Sequence, residues 1–371
     1  MRFLIAGGGT GGHVYPGVTI GQTIKDKLPG ADVVFVGTRG GLEADVVPKE
    51  GFPLETIPLI GLPRRLSFRL FKALGLAAAG VLEARRIIGR FKPDVVIGTG
   101  GYVCGPVILA AWSLGVPAAI QEQNAIPGLT NRILGRLVGR IFLGYGDAGR
   151  YFNRRKIMVT GNPIRASVLD AVRAEGAARL GLEPGLTTIL VMGASQGAHS
   201  INQALLACLP SLLRQPRLQV LHVTGKRHYE AVIEAMKRLH LAPGMAARAH
   251  TEPYLYRIAD AYAAADLVVA RSGAISLAEM TARGLPMILV PFPYATADHQ
   301  TYNARALARR GAARIIPDRE LTGERLLAEV LPLLRDPAVL AEMRRASLAA
   351  SRPDAARDIV VELIAMAGGR P

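Results

Sequence analysis

What most constrains this chain is a recurring pattern: a short apolar run, often closed by glycines, then a stretch with helical spacing. In the first half the runs are Phe3–Ala6, Val33–Gly37, Leu54–Ile57, Val95–Gly98, Ala118–Gln121, Ile141–Gly144 and Ile157–Thr160. In the second half they are Thr188–Met192, Gln219–Val223, Leu267–Ala270, Met287–Val290 and Ala313–Ile316. The runs are continuous rather than alternating, as expected of strands buried on both faces of a parallel sheet. Their alternation with helices implies an α/β chain of two doubly wound domains, and a length of 371 residues suits two. The seam is expected at Gly161-Asn162-Pro163, which sets the domains at 1–163 and 164–345. In the tail, 346–371, the spacing of Ala355, Ala356, Ile359, Val360, Leu363 and Ile364 after Asp354 predicts a helix that can cap either domain.

Half of the residues are apolar and 20% are charged, which excludes a disordered chain, a fibre or a disulfide-stapled miniprotein. Glycine is abundant at 41 residues, above the ~7% of ordinary chains, so some loops turn sharply or approach a ligand closely. The net charge of +16 points to an anionic partner: nucleic acid, phosphate ligands or an acidic membrane surface. Cys104 and Cys208 lack metal or disulfide spacing. The opening Phe3–Ala6 run is too short for a secretory signal. The charge-free stretch Val95–Gln121 is broken by Gly98, Gly100, Gly101, Gly105, Pro106, Gly115 and Pro117. It reads as strand, loop, helix and strand rather than a membrane span, so a cytoplasmic chain is expected.

Three glycine loops follow strands: 7–12, 98–101 and 193–197. The carboxyl ends of strands are where open α/β sheets bind ligands. The first loop formally contains GxGxxG, a weak signal. No acidic residue ends the second strand, which disfavours NAD, while Arg39 keeps an NADP reading open. His13 sits where the following helix begins, with Pro16 expected in its first turn. The positive end of a helix disfavours imidazolium, so His13 is expected to be neutral and able to accept a proton; a helix-capping role is the alternative. The other histidines lack metal-ligand spacing and, apart from His299, read as structural. Ser195 and the backbone of 193–197 suit a diphosphate. After Arg271-Ser272-Gly273-Ala274, Glu279 lies two turns along a helix, where a carboxylate can accept both ribose hydroxyls or simply face solvent. With no Asp-x-Asp pair to hold a metal, the diphosphate charge falls to helix ends and a cation such as Arg165.

Between Gly61 and Lys92 eight cations, Arg64, Arg65, Arg69, Lys72, Arg85, Arg86, Arg90 and Lys92, accompany one anion, Glu83. They are interleaved with Leu66, Phe68, Leu70, Phe71 and Leu74, a mixture suited to an anionic lipid surface. An ordinary amphipathic helix accounts for part of the segment. Nucleic acid is not expected, because stacking aromatics and a binding motif are missing.

Seven motifs then occur in one order: GGGTGGHVYP (7–16), GTGGYVCGP (98–106), QEQNAIPGLTNR (121–132), GNPIR (161–165), GASQGAHSIN (193–202), RSGAISLAE (271–279) and PFPYATADHQTYNA (291–304). Together they resemble the MurG family of N-acetylglucosaminyltransferases. The resemblance implies the GT-B class, with two Rossmann-like domains facing across a cleft and the C-terminal helix returning to the first. It implies an inverting transfer of N-acetylglucosamine from UDP-N-acetylglucosamine to the C4 hydroxyl of a polyprenyl-diphospho-muramoyl-pentapeptide; no cofactor or resident metal is expected from the sequence. Thr10, Gly11, Gly12, Asn124, Arg165, Ser195, Gln196, Gly197, the backbone near Leu255, Ala274, Glu279 and Gln300 are implied donor contacts. His13, Tyr102, Glu122 and Asn124 are implied near the acceptor, with His13 the expected base and Glu122 the fallback. Arg64, Arg65, Phe68, Arg69, Phe71 and Lys72 fall in the implied membrane-docking patch on the cytoplasmic face of the plasma membrane. Ala194 and Tyr254 depart from the usual Gly and Phe. A UDP-N-acetylglucosamine 2-epimerase shares the architecture but has no use for the basic segment, and an NADP oxidoreductase leaves 193–197 and Glu279 unexplained.

Overall fold

The computed structural model describes residues 1–59, 68–193 and 197–368, with 68–74 described by backbone alone. Arg64, Arg65, Ser195 and Gln196 therefore lie outside the described residues, as do the side chains of Phe68, Arg69, Phe71 and Lys72. The chain forms two units: Met1–Ile164 joined by the tail from Arg352, and Arg165–Ser351. Residues 346–350 finish a helix of the second unit, Pro337–Ala350.

The first unit is built on β1 (Arg2–Gly7), β2 (Asp32–Gly37), β3 (Leu54–Thr56), β4 (Val95–Gly100), β5 (Ala118–Glu122), β6 (Arg140–Leu143) and β7 (Ile157–Met158). Their order is β3-β2-β1-β4-β5-β6-β7, and every pairing is parallel. The second unit has β8 (Thr187–Met192), β9 (Leu218–Val223), β10 (Ala249–Glu252), β11 (Leu267–Ala270), β12 (Met287–Leu289) and β13 (Ala313–Ile315). These run β10-β9-β8-β11-β12-β13, again all parallel. Chain order thus reverses between β1 and β4 and between β8 and β11. Those two switch points are where an open sheet splays its loops apart and leaves a ligand crevice.

The continuous apolar runs have the expected cause. On β1, Phe3 and Ile5 enter one core with Val14, Val18 and Phe35, while Leu4 and Ala6 enter the opposite core with Ile108 and Ile120. The tail helix Ala355–Met366 adds Ile359, Val360, Leu363 and Ile364 to the first of these cores. At roughly 1.5–3 kcal/mol per buried aliphatic side chain, that face holds the tail firmly to the first unit. In the second unit Ile189, Val191, Leu267 and Val269 pack against Leu205, Leu209 and Leu212 of the helix His199–Leu213.

Two expectations need correction. Strand β10, Ala-His-Thr-Glu, was not anticipated, because an edge strand with one half-solvated face needs no apolar run. Pro16 lies in the second turn of α1 (Gly11–Lys27), not the first, and is buried there. Among the described residues no helix is long and apolar enough to cross a membrane.

Candidate active site

At the first switch point, β1 delivers Gly8-Gly9-Thr10 and α1 opens immediately after, with Thr10 as its N-cap residue. His13 is half-buried in the first turn. Its Nδ1 lies 3.2 Å from the Gly8 carbonyl and 3.2 Å from Thr10 Oγ1. A carbonyl only accepts, so a bond to Gly8 takes the Nδ1–H tautomer, with the ring lone pair on Nε2, whereas a bond from the Thr10 hydroxyl takes the opposite one. The β4 loop closes over this ring. A side chain at Gly101, where φ is +81°, would meet the Gly8 carbonyl at 2.4 Å, and one at Gly100 would meet the imidazole itself at 2.4 Å. Only glycine permits so close an approach. Thr99 Oγ1 donates to the His13 carbonyl at 2.8 Å, tying β4 to α1 from below.

Behind the loop stands Glu43, the first residue of α2 (Glu43–Lys49), which is 0% exposed. It accepts from Gly9 N at 2.9 Å, Thr38 N at 2.9 Å and Thr38 Oγ1 at 2.7 Å. Burial alone pushes its pKa up, but these hydrogen bonds outweigh burial and hold the carboxyl below its ordinary value. Tyr102 is partly exposed beside Gly9 and lines an open cavity of 780 Å³ with Thr38, Arg39, Thr56, Leu59 and Glu83.

Glu122 ends β5 and is buried. Its Oε1 accepts from Asn124 N at 2.9 Å and Asn124 Nδ2 at 3.2 Å, and its Oε2 from Gly128 N at 3.2 Å and Asn131 Nδ2 at 2.8 Å. Burial pushes its carboxyl above the ordinary value despite those donors. Four donors occupy the lone-pair sites of one carboxylate, so the geometry suits a clamp on the 124–128 loop better than a base reaching a substrate. Beneath it lies a buried polar chain that sequence reasoning missed. Gln123 donates to the Thr99 carbonyl and to Gln121 Oε1, Gln121 Nε2 donates to Asn162 Oδ1 at 2.8 Å, and Asn162 Nδ2 donates to the Gln123 carbonyl at 3.1 Å. It joins three of the sequence motifs in one hydrogen-bonded unit.

In the second unit, the loop after β8 ends at Gly197, where φ is +75° and a side chain would meet the Thr224 carbonyl at 2.1 Å. Opposite, β11 leads through Arg271-Ser272-Gly273 into the helix Ala274–Ala282, with Ala274 buried at its start. Glu279 on that helix is buried, so the solvated-surface reading fails. Arg165 grips it with both prongs, Nε to Oε1 at 2.7 Å and Nη2 to Oε2 at 3.0 Å. Thus the two side chains expected to take the ribose and the diphosphate hold each other in this structure. Gln300 Oε1 accepts from Ser272 N at 3.2 Å and Phe292 N at 2.9 Å, bracing the β11 and β12 loops. Buried Arg271, unanticipated, donates to the Val290 and Pro291 carbonyls at 3.1 Å and to Asp318 at 2.5 Å. Half-buried Leu255 lies in the coil after β10, next to Tyr254 and Tyr256, whose rings pack edge to face 5.0 Å apart.

Away from these loops, α3 (Phe68–Phe91), α4 (Cys104–Ser113) and α5 (Leu129–Leu134) pack in succession. They expose Leu82, Leu109, Trp112, Leu129 and Ile133, with Trp112 55% and Leu129 74% accessible. Arg85 of α3 reaches Ser113 at the end of α4. Among the described residues no three His, Cys, Asp or Glu side chains stand together as a metal set.

Comparison with known proteins places this geometry. Residues 3–143 match the glycosyltransferase family 28 N-terminal domain and 188–359 the glycosyltransferase family 28 C-terminal domain. The chain is 44% identical over 367 residues, 98% of each chain, to the UDP-N-acetylglucosamine--N-acetylmuramyl-(pentapeptide) pyrophosphoryl-undecaprenol N-acetylglucosamine transferase of Halothermothrix orenii. It is 46% identical over 361 residues, 97% of each chain, to the like-named protein of Moorella thermoacetica. The crystal structure of Acinetobacter baumannii MurG superposes with a TM-score of 0.76 at 28% identity, covering 98% of this chain and 99% of that one. Two parallel α/β sheets with switch-point glycine loops and full-length likeness to these transferases lead to one conclusion: the chain belongs to the MurG family of glycosyltransferases, of GT-B fold.

Proposed function

We propose that the protein transfers N-acetylglucosamine from UDP-N-acetylglucosamine to the C4 hydroxyl of a polyprenyl-diphospho-N-acetylmuramoyl-pentapeptide, as a hexosyltransferase of peptidoglycan synthesis. The observation that carries this reading is the likeness to transferases of that printed name over 97–98% of both chains.

An α-linked donor and a β-linked product require inversion, hence a single in-line displacement. The acceptor oxygen bonds to the anomeric carbon as the bond from that carbon to the diphosphate breaks, and the hydroxyl proton leaves to a base. His13 is that base, a role supported by the Gly8 carbonyl 3.2 Å from Nδ1, which favours a proton on Nδ1 and so a lone pair on Nε2. Proton transfer of this kind contributes ~10²–10⁴-fold. The rest comes from alignment and from stabilising the departing diphosphate. Arg165 and the backbone of 195–197 supply that stabilisation, and Glu279 takes the ribose. For this the Arg165–Glu279 pair opens, Arg165 exchanging the carboxylate for the diphosphate and Glu279 exchanging the guanidinium for the ribose hydroxyl donors. Glu122 holds Asn124 and the 124–128 loop in place rather than moving a proton.

The first unit, with its return tail, serves the acceptor and the membrane, and the second serves the donor. Leu82, Leu109, Trp112, Leu129 and Ile133 form the surface that rests on anionic lipid at the cytoplasmic face of the plasma membrane, a reading that the positive charge of the 61–92 sequence supports. Nucleic acid is not a partner in this reading.

The test is labelled UDP-N-acetylglucosamine incubated with the protein, with and without the lipid-linked muramoyl-pentapeptide. Label entering the lipid only when the acceptor is present is the expected result. Release of UDP and free sugar without an acceptor would favour an epimerase, and inertness toward UDP-sugars would refute the assignment.

A further inference from the structure

We propose that Glu43 is a positioning residue for the reaction, holding one edge of the Gly8–Gly9 peptide whose other edge orients His13. The inference rests on the transferase reading with His13 as base, and extends it to a side chain that touches no substrate.

One peptide unit carries the argument. Its N–H belongs to Gly9 and donates to Glu43 Oε2 at 2.9 Å. Its carbonyl belongs to Gly8 and lies 3.2 Å from His13 Nδ1. The unit is planar, with a barrier to twisting of ~18–20 kcal/mol, so fixing its N–H fixes the direction of its carbonyl. Glu43 therefore sets the imidazole orientation without contacting it. A carboxylate pulling on the N–H also polarises the carbonyl, which strengthens the bond that keeps the proton on Nδ1 and the lone pair on Nε2.

The surroundings are shaped around this carboxylate. Side chains at Gly8, Gly37 and Gly41 would come within 2.4, 2.4 and 2.2 Å of Glu43 atoms, so glycines on three sides make room for it. Oε1 is held by both donors of Thr38, which leaves Oε2 aimed at Gly9. A solvated glutamate at a helix start has no such enclosure. The depressed pKa agrees with an ionised acceptor at neutral pH.

The experiment compares Glu43→Gln with Gly51→Ala in the full-length protein, reading transfer rate, donor affinity, melting temperature and the pH profile of kcat. An amide has one acceptor oxygen; kept against the two donors of Thr38, it turns its NH₂ toward the Gly9 N–H, so Glu43→Gln loses the Gly9 contact. The expected result is a fall in kcat of ~10–100-fold, as for a misplacement of up to 1 Å. Donor affinity stays within twofold, and the acid limb of the profile moves to lower pH because an anion has left the relay. Gly51→Ala strains a backbone at φ +82° with nothing within 4 Å of the added atom, so it lowers melting temperature and leaves kcat and the pH profile unchanged. If Glu43→Gln behaves like Gly51→Ala, the residue is merely structural and the proposal is overturned. Nitrogen NMR of His13 in the unmodified protein gives a reading that does not depend on either variant folding: the Nδ1–H tautomer supports the proposal and the Nε2–H tautomer overturns it. An unmodified protein that transfers nothing to lipid refutes the transferase reading and this inference with it, whereas active protein with an indifferent Glu43→Gln refutes this inference alone.

Discussion

Replacing Gly101 by alanine perturbs the same peptide from the opposite side, and the structure sets the size of the effect. Two costs separate cleanly. A left-handed backbone, here φ +81°, costs a residue with a Cβ roughly 1–2 kcal/mol. In a domain of this size that is a loss of about 2–8 °C in melting temperature. The second cost is positional. The new Cβ would lie 2.4 Å from the Gly8 carbonyl oxygen, a backbone atom that cannot rotate away. That carbonyl has to retreat by at least ~0.6 Å to reach a tolerable contact, and His13 Nδ1 follows it or loses it. Since ~1 Å of misplacement costs about 100-fold, kcat falls by about 10–100-fold. Gly51→Ala is the matched control, with φ +82° and nothing within 4 Å of the added atom. The assay is steady-state transfer to the lipid-linked acceptor, with donor affinity by calorimetry and thermal melts of both variants. Gly51→Ala is expected to lose stability to a similar degree and keep its kcat. If Gly101→Ala keeps kcat within threefold while melting like Gly51→Ala, the idea that the Gly8 carbonyl sets His13 is wrong.

Three further expectations follow from other parts of the molecule. Glu279→Gln removes the charge proposed to accept the ribose hydroxyls, and with hydrogen bonds to a charged group worth ~1.5–3 kcal/mol, donor affinity is expected to fall by about 10–100-fold with a smaller change in kcat. Calorimetry of UDP-N-acetylglucosamine binding checks this. Replacing Leu82 and Trp112 by serine, both exposed on adjacent helices, abolishes sedimentation with anionic vesicles but leaves turnover of a short-chain, water-soluble acceptor intact. His222 is buried against Asn202, with Nε2 3.0 Å from Oδ1, and burial pushes its pKa down from 6.5 to about 4. A depressed folded pKa means the stabilisation is complete above the ordinary value and is lost as pH falls toward the folded one. Urea unfolding should therefore show about 2 kcal/mol less stability at pH 5 than at pH 7 from this group, with His222→Gln as the flat reference.

The two sheets were legible because parallel strands at the centre of an α/β sheet leave both faces apolar, and Phe3–Ala6 shows this residue by residue. The edge strand Ala249–Glu252 was not, since half of it faces water and its pattern matches a loop. The glycine loops at the switch points were legible from backbone demands alone. Glu43 was invisible for the opposite reason: a glutamate opening a helix reads as a solvated first-turn acid, and only the fold brings Gly8, Gly37 and Gly41 around it. The Arg165–Glu279 pair spans 114 residues of sequence, so no local pattern could announce it. Glu122 stands out in the sequence as a fallback base, but its four donors come from a loop whose course the sequence does not reveal. Trp112, the single tryptophan, lies within the charge-free stretch Val95–Gln121, yet the fold leaves it 55% exposed.

The central claim is that His13 takes the acceptor proton. Its most direct test is single-turnover transfer by His13→Ala beside a binding isotherm for UDP-N-acetylglucosamine. The account predicts a fall in transfer rate of ~10²–10⁴-fold with donor affinity unchanged. Weakened donor binding with an intact transfer rate would contradict it and make His13 a donor-site residue.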